Sequence, residues 1–557
     1  MATMELKFLT PTEVWEGFDA IKAPLEASII SVKTTDNFSC AQQVFTADTV
    51  QDAKLRVECN IYFDARWQDE RPAVLVLPSF ENPHSSDAIH KLVEEGFVTC
   101  TIDYCALKQN SMTYFPDSVS FAHYPDCLEH LEHIETDARQ TPWFVWAKIA
   151  RRAISLLQEQ SIVQKDKIGL IGFGAGAHLS YLVAGTDKRV KSMVAINGGG
   201  YRWAEHNARF LGNDIPTGDE QIAYSTGVGA ETYAIFIDCP TLMIATRDSE
   251  LCDVDRLGDM FDLVKSNDKH IMISVSCCAQ IARSIYGAMT YWLRNNLAGT
   301  LEFTLPQPSI RFEETDGRLY VKLNSGEKAT ERTLFISYGE PCSKQRHWEK
   351  HEVKQKVGAH EYVCDVPVYD PNELLIAYAC FTYPNGGVVS TRIVSASSVM
   401  AEVTHIETSP RTSSILFDGS MGVDKFVAKT DDALLDDDTV ELKQGPFGIE
   451  GVSVEHGSLT LYRSKQETMA VSRSAILHFD AYSTQERELL VCVYSDTELK
   501  KYTARKKLQG GEFWQKLLLE TTDFKSEEGR TLSSFSQVKT IEFENVDGIL
   551  LNNLLWI

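Results

Sequence analysis

Several common features are missing from this 557-residue chain. No run of about 18 apolar residues occurs, so no segment reads as a bilayer-spanning helix. The opening, MATMELKFLTPTEVWEG, has no basic stretch leading into an apolar one, so no secretory leader is expected. Basic residues are in short supply, 54 against 78 acidic ones, for a net charge of −24. Nucleic acid and anionic membrane surfaces are therefore poor partners, because phosphate contacts need clustered Lys and Arg. The 13 cysteines form no C-x-x-C pair. Cys100, Cys380 and Cys492 sit in apolar, strand-like runs and read as reduced, buried thiols of a cytoplasmic protein. Nothing calls for a cofactor or a resident metal. The acidic run from Asp431 to Asp438 reads as a solvated loop, with Ca²⁺ as the alternative.

What is present is an ordinary globular composition, 43% hydrophobic and 24% charged, at a length suited to two to four domains. The most informative stretch is KIGLIGFGAGAHLSYLVA, from Lys167 to Ala184. It reads as a buried strand over Ile168–Ile171, a glycine-rich turn, and a helix starting near Ala175. That is the layout of a nucleophile elbow, G-x-Nuc-x-G. In the register Gly172-Phe173-Gly174-Ala175-Gly176 the nucleophile position falls on Gly174, which has no side chain. Glycine also removes the strain that this position imposes on other residues, about 1–3 kcal/mol.

In chain order, residues 1–50 read as an N-terminal embellishment. The alternating stretch Leu55–Phe63 suits a half-exposed antiparallel strand. A strand at Ala73–Leu77, the turn from Pro78 to Pro83, a helix ending before Gly96 and a strand at Phe97–Ile102 make a βαβ unit. A loop excursion covers 103–141. Pro142–Glu159 is amphipathic and opens with proline, as helices do. Strands follow at Lys191–Ile196, Cys239–Thr246 and His270–Val275, with helices at Asp253–Lys265 and Ala279–Leu297. The expected fold class is α/β, a mostly parallel sheet with helices on both faces over 1–302. Short alternating segments follow. They predict an Ig- or fibronectin-like sandwich over 303–404 and a jelly-roll sandwich over 405–557.

RPAVLVLPSF, DKIGLIGFGAGAHLS, MVAINGGG and CPTLMIATRDSE resemble the α/β-hydrolases, most of all the dienelactone hydrolase and acetyl xylan esterase groups. The resemblance implies oxyanion-hole amides near Ser79, Phe80 and Ala175. It further implies a nucleophile at Gly174, an acid at Asp248 and a histidine after the last strand. Gly174 cannot attack. The histidine loop reads Ser276-Cys277-Cys278-Ala279-Gln280, without histidine. Asp248 matches, but an acid with no imidazole to orient does nothing catalytic. His178 and Asn197 are the other candidates for lining the pocket. His178 reads first as a packed helix histidine, Ser79 as a turn residue, and Cys277 and Cys278 as thiols with no nameable base.

The C-terminal stretch resembles galactose-binding-like jelly rolls of carbohydrate-binding modules through Trp514, Phe524, Phe535, Phe543 and Asn552-Asn553. Most of these aromatics read as core, with Tyr482, Tyr494 or Trp514 available for stacking on a sugar. The leading expectation is a non-catalytic α/β-hydrolase homologue with a binding or structural role. The alternatives are an ester hydrolase with a non-standard nucleophile and a carbohydrate-binding protein. As partner, a small molecule, a protein or a second copy of the chain all fit.

Overall fold

The structure is a computed structural model. It describes residues 6–557 apart from 36–37, 81–85, 125, 203–208, 211–217, 247–251, 275–282, 301–303, 344–345, 354, 404, 410–413, 424, 430–439, 462–470, 473 and 496–499. The acidic run 431–438 thus lies outside the described residues.

A 14-stranded sheet dominates the first 395 residues. In spatial order its strands are Ser28–Thr35, Phe38–Val50, Ala53–Asp64, Val98–Ile102, Arg71–Leu77, Val163–Phe173, Val190–Ile196, Thr241–Thr246 and Lys269–Ser274. It then runs on through Val388–Ser390, Leu375–Thr382, Glu331–Tyr338 and Glu349–Glu352, with Val394–Ser395 pairing off this path with Leu375–Thr382 as the fourteenth strand. From Val98–Ile102 to Lys269–Ser274 every neighbouring pair is parallel. Arg71–Leu77 and Thr241–Thr246 are buried and apolar at their centres, as a sheet covered on both faces requires. The order, with antiparallel strands on one side and crossing helices between the parallel ones, is that of an α/β-hydrolase.

Two expectations change here. Residues 1–50 are no embellishment, because Ser28–Thr35 and Phe38–Val50 extend the sheet. Gln42, Gln43 and Thr46 interrupt the apolar pattern of the second strand and hid it. Arg152, 2% exposed, donates to Ala20 O, Ala23 O and Thr46 O, holding this segment on the long helix. Nor is the middle block sealed off from the first. Ser390 pairs with Ile271 across antiparallel strands, so one layer of the block continues the hydrolase sheet. The other layer is a four-stranded sheet of Ser309–Thr315, Arg318–Asn324, Glu361–Val366 and Gln355–Lys356. One hydrophobic cluster joins Val76, Ile171 and Ile244 to Leu334, Ile336 and Val389. A buried ion pair also crosses the junction. Arg346 donates to both Asp255 oxygens, at 2.5 and 2.8 Å.

The C-terminal block from Ile415 onward has two antiparallel sheets, six- and five-stranded, around their own core. Phe524, Phe535 and Phe543 are fully buried in that core. Tyr482 and Trp514 are half-buried, with ring centroids 5.8 Å apart.

The long helix Pro142–Glu159 begins where the sequence predicts. Thr141 caps it, its hydroxyl accepting from the Phe144 amide, and Pro142 occupies the first turn. Its buried face presents Trp143, Trp146, Ile149, Ile154 and Leu157.

Candidate functional site

The elbow forms as its glycines dictate. The strand Val163–Phe173 ends at Gly174, and the helix Ala175–Thr186 starts at the next residue. Gly174 has φ +53° and ψ −114°, a backbone that side-chain-bearing residues adopt only under strain. Close approach explains its neighbours. A Cβ on Gly172 would meet Gly176 O at 2.2 Å, and one on Gly176 would meet Leu77 O at 2.0 Å. The elbow helix therefore butts against the end of the strand Arg71–Leu77. The same helix start also approaches Pro78 O, the residue before Ser79. As the first helical residue, Ala175 has an N–H with no intrahelical acceptor. That N–H lies at the elbow, next to a position with no nucleophile.

His178 lies one turn further along the same helix and is 1% exposed. Its Nδ1 lies 3.1 Å from Gly199 O and its Nε2 2.9 Å from Val228 O. The ring packs on Trp143, centroid to centroid 4.4 Å. Burial first, and then the Arg202 guanidinium, lower its pKa to about 4. Its side chain is therefore committed to packing and backbone contacts. Asn197 sits at the end of the next strand with φ +51°. Its Oδ1 accepts from the Thr246 N–H and hydroxyl, at 2.8 and 3.3 Å, tying two strand ends together. Asp248, Cys277 and Cys278 lie outside the described residues. His270, at the far end of its strand, is anchored to Leu305 O at 2.9 Å.

The structure adds groups that sequence reasoning missed. Asp103, Tyr104, Cys105, Leu107 and Lys108 follow directly on the strand Val98–Ile102. With Pro78, Ser79 and Ile102 they line a small recess, with room for about one water, at the carboxyl edge of the sheet. The Tyr104 hydroxyl donates to Pro78 O at 2.6 Å, bracing the turn that follows the strand Arg71–Leu77. Phe80 packs on Tyr104, Tyr124 and Trp146. Cys105 lies in the lining of the recess, and burial, then the Asp103 charge, push its pKa well up. A signal was available: a carboxylate immediately after a buried parallel strand lies at the edge where α/β sheets bind ligands. Beyond the position expected for the acid, Asp253 has a pKa raised to about 6, by burial and next by Asp255. It accepts from the Ser343 hydroxyl at 2.9 Å, so the middle block touches this loop too. Among the described residues no group of His, Cys, Asp and Glu is arranged to hold a metal ion, and no helix is long and apolar enough to cross a membrane.

Two family models match parts of the chain. Residues 61–216 match the model of the dienelactone hydrolase family. Residues 151–286 match that of the BAAT/acyl-CoA thioester hydrolase C terminal. Both matches contain the elbow. Similar solved structures include acetyl xylan esterase 1 from Thermoanaerobacterium sp. JW/SL YS485, 14% identical with a TM-score of 0.38, over 49% of this chain and 88% of that one. Another is the acetyl xylan esterase from Paenibacillus sp. R4, 15% identical with a TM-score of 0.40, over 53% and 96%. A third is a glucuronoyl esterase from Solibacter usitatus, 11% identical with a TM-score of 0.36, over 51% and 91%. No curated protein sequence matches the chain. Within an α/β-hydrolase fold, residues 61–216 are thus similar to the dienelactone hydrolase family.

Proposed function

We propose that this chain uses an α/β-hydrolase scaffold to bind a ligand or partner and not to cleave one. The observation that carries the reading is Gly174, at the apex of a well-formed elbow with φ +53° and no side chain to attack with. Two supporting facts remove the nearest substitutes. The His178 ring faces two backbone carbonyls, and burial holds it neutral near pH 7. The Cys105 thiol, pushed up by burial and by Asp103, carries little thiolate. On this reading the amides near Ser79, Phe80 and Ala175 would serve as donors to a polar oxygen, and such donors without a nucleophile leave only residual catalysis.

The test is active-site titration with an activated ester such as p-nitrophenyl acetate. Turnover no higher than the surface-lysine background supports the reading. A stoichiometric burst followed by steady turnover overturns it and favours an ester hydrolase with a different nucleophile. A second reading, a sugar partner for the C-terminal block, is favoured by the half-buried Tyr482–Trp514 pair, with the Tyr482 hydroxyl donating to Glu512 at 3.2 Å. Glycan binding unaffected by Trp514→Ala would remove that reading.

A further inference from the structure

The 14-stranded sheet ends on one side in a strand that nothing covers. Among the described residues Ser28–Thr35 pairs with Phe38–Val50 and with no strand beyond it. Seven of its eight residues are exposed and Ser31 is intermediate, so neither of its faces is packed upon. Three of the exposed side chains are large aliphatics: Ile29, Ile30 and Val32 are 64%, 50% and 56% exposed. The ladder shifts register between Ile29 and Ser31 and then runs regularly from Ser31 to Thr35. Its outer side therefore offers a row of backbone N–H and C=O groups about 27 Å long. The strand has no proline and a single charge, Lys33.

Other sheet edges of this chain are guarded. The opposite end of the same sheet is the short, charged strand Glu349–Glu352. Ser309–Thr315 carries Arg311, Glu313 and Glu314 at the edge of the four-stranded sheet. In the C-terminal block, the edge strand Val440–Gln444 carries Glu441 and Lys443, and Lys501–Leu508 carries four basic residues. Charges on an edge discourage pairing with another chain, whereas a long aliphatic edge without them favours it.

The strand is also complementary to itself. Two copies laid antiparallel are related by a two-fold axis, the symmetry of a closed dimer. Centred on Ser31, that pairing sets Ile30 of one copy opposite Val32 of the other and Lys33 opposite Ile29. The two ammonium groups are thus kept apart, and β-branched side chains meet across the seam. We propose that Ser28–Thr35 is the dimerisation edge of this protein, pairing antiparallel with the same strand of a second copy and joining two sheets into one. The proposal goes beyond the binding reading above and does not depend on it.

The experiment is light scattering during gel filtration of the full chain, loaded from low to high micromolar concentration. The mass should rise to that of a dimer across this range. Ile30→Lys combined with Val32→Lys charges two side chains that are already half-exposed, so the fold should stand while association weakens about ten-fold or more. Leu518→Lys, a like change on the edge strand Gln515–Leu519, should leave the dimer unchanged. Hydrogen exchange of the unmodified chain supplies a second reading that needs no variant: amides within 28–35 should exchange more slowly at high concentration than at low. Because each chain has a net charge of −24, added salt should screen the repulsion and tighten the dimer. The proposal is overturned by a monomer at every concentration, by a dimer that persists in the folded double-lysine chain or is lost on Leu518→Lys, by exchange within 28–35 that ignores concentration, or by a dimer that salt dissociates.

Discussion

Gly174→Ser is the substitution that restores the missing hydroxyl, and its outcome follows from the backbone and from His178. At φ +53° and ψ −114° a serine is strained, at a cost of about 1–3 kcal/mol. Serine also needs a base to take its proton, and such help is worth roughly 100- to 10,000-fold. His178 would have to leave carbonyls at 2.9 and 3.1 Å and break its packing on Trp143. The loop after the last strand has no histidine to offer. The variant should thus unfold at lower denaturant, its first transition shifted by about 1–3 kcal/mol. Its kcat/KM for p-nitrophenyl acetate should stay within a few-fold of the unmodified chain. A rise of 100-fold or more would mean that a base stands within reach of the elbow, and the argument would fail. An unshifted transition would mean that the elbow backbone tolerates a side chain.

Three further outcomes are expected. Arg346→Ala leaves the buried Asp255 carboxylate without its guanidinium and should cost about 3–5 kcal/mol, whereas Arg346→Met with Asp255→Leu should be close to neutral; equal losses in a denaturation cycle would contradict this. Between pH 6.5 and 4 the unfolded chain protonates His178 before the folded one does, so stability should fall with falling pH, by up to about 3 kcal/mol at pH 4, and His178→Met should flatten that slope. Gly176→Ala places a methyl 2.0 Å from Leu77 O and forces the helix off the sheet; a loss below about 1 kcal/mol would show that the contact is slack.

Buried, periodic elements were legible. Pro142–Glu159 occurs with the predicted bounds, and the elbow helix begins at Ala175 as read. What escaped was long-range pairing. Val388–Ser390 reads as any short strand, and nothing local says that its edge meets Ile271. Lys501–Leu508 was missed because Lys501, Arg505, Lys506 and Lys507 mask its pattern; it lies at a sheet edge, where charges discourage further pairing. The elbow was legible because its glycines are consecutive in sequence. The recess was not, because Ser79 and Asp103 come from different strand ends and Asp103 looks like the start of a loop.

The shared sheet sets an order of events during synthesis. Ile273 N–H donates to Ser390 Oγ, at 2.9 Å, across 117 residues of chain. At roughly 5–20 residues per second a ribosome needs about 6–23 s to cover that distance. Throughout that interval the nascent strand Lys269–Ser274, apolar at its centre, offers an unpaired edge. A fragment cut at the expected boundary near residue 302 would keep that edge open for good. Such a fragment should aggregate, or recruit a chaperone or a second strand donor, where the full-length chain closes the edge itself.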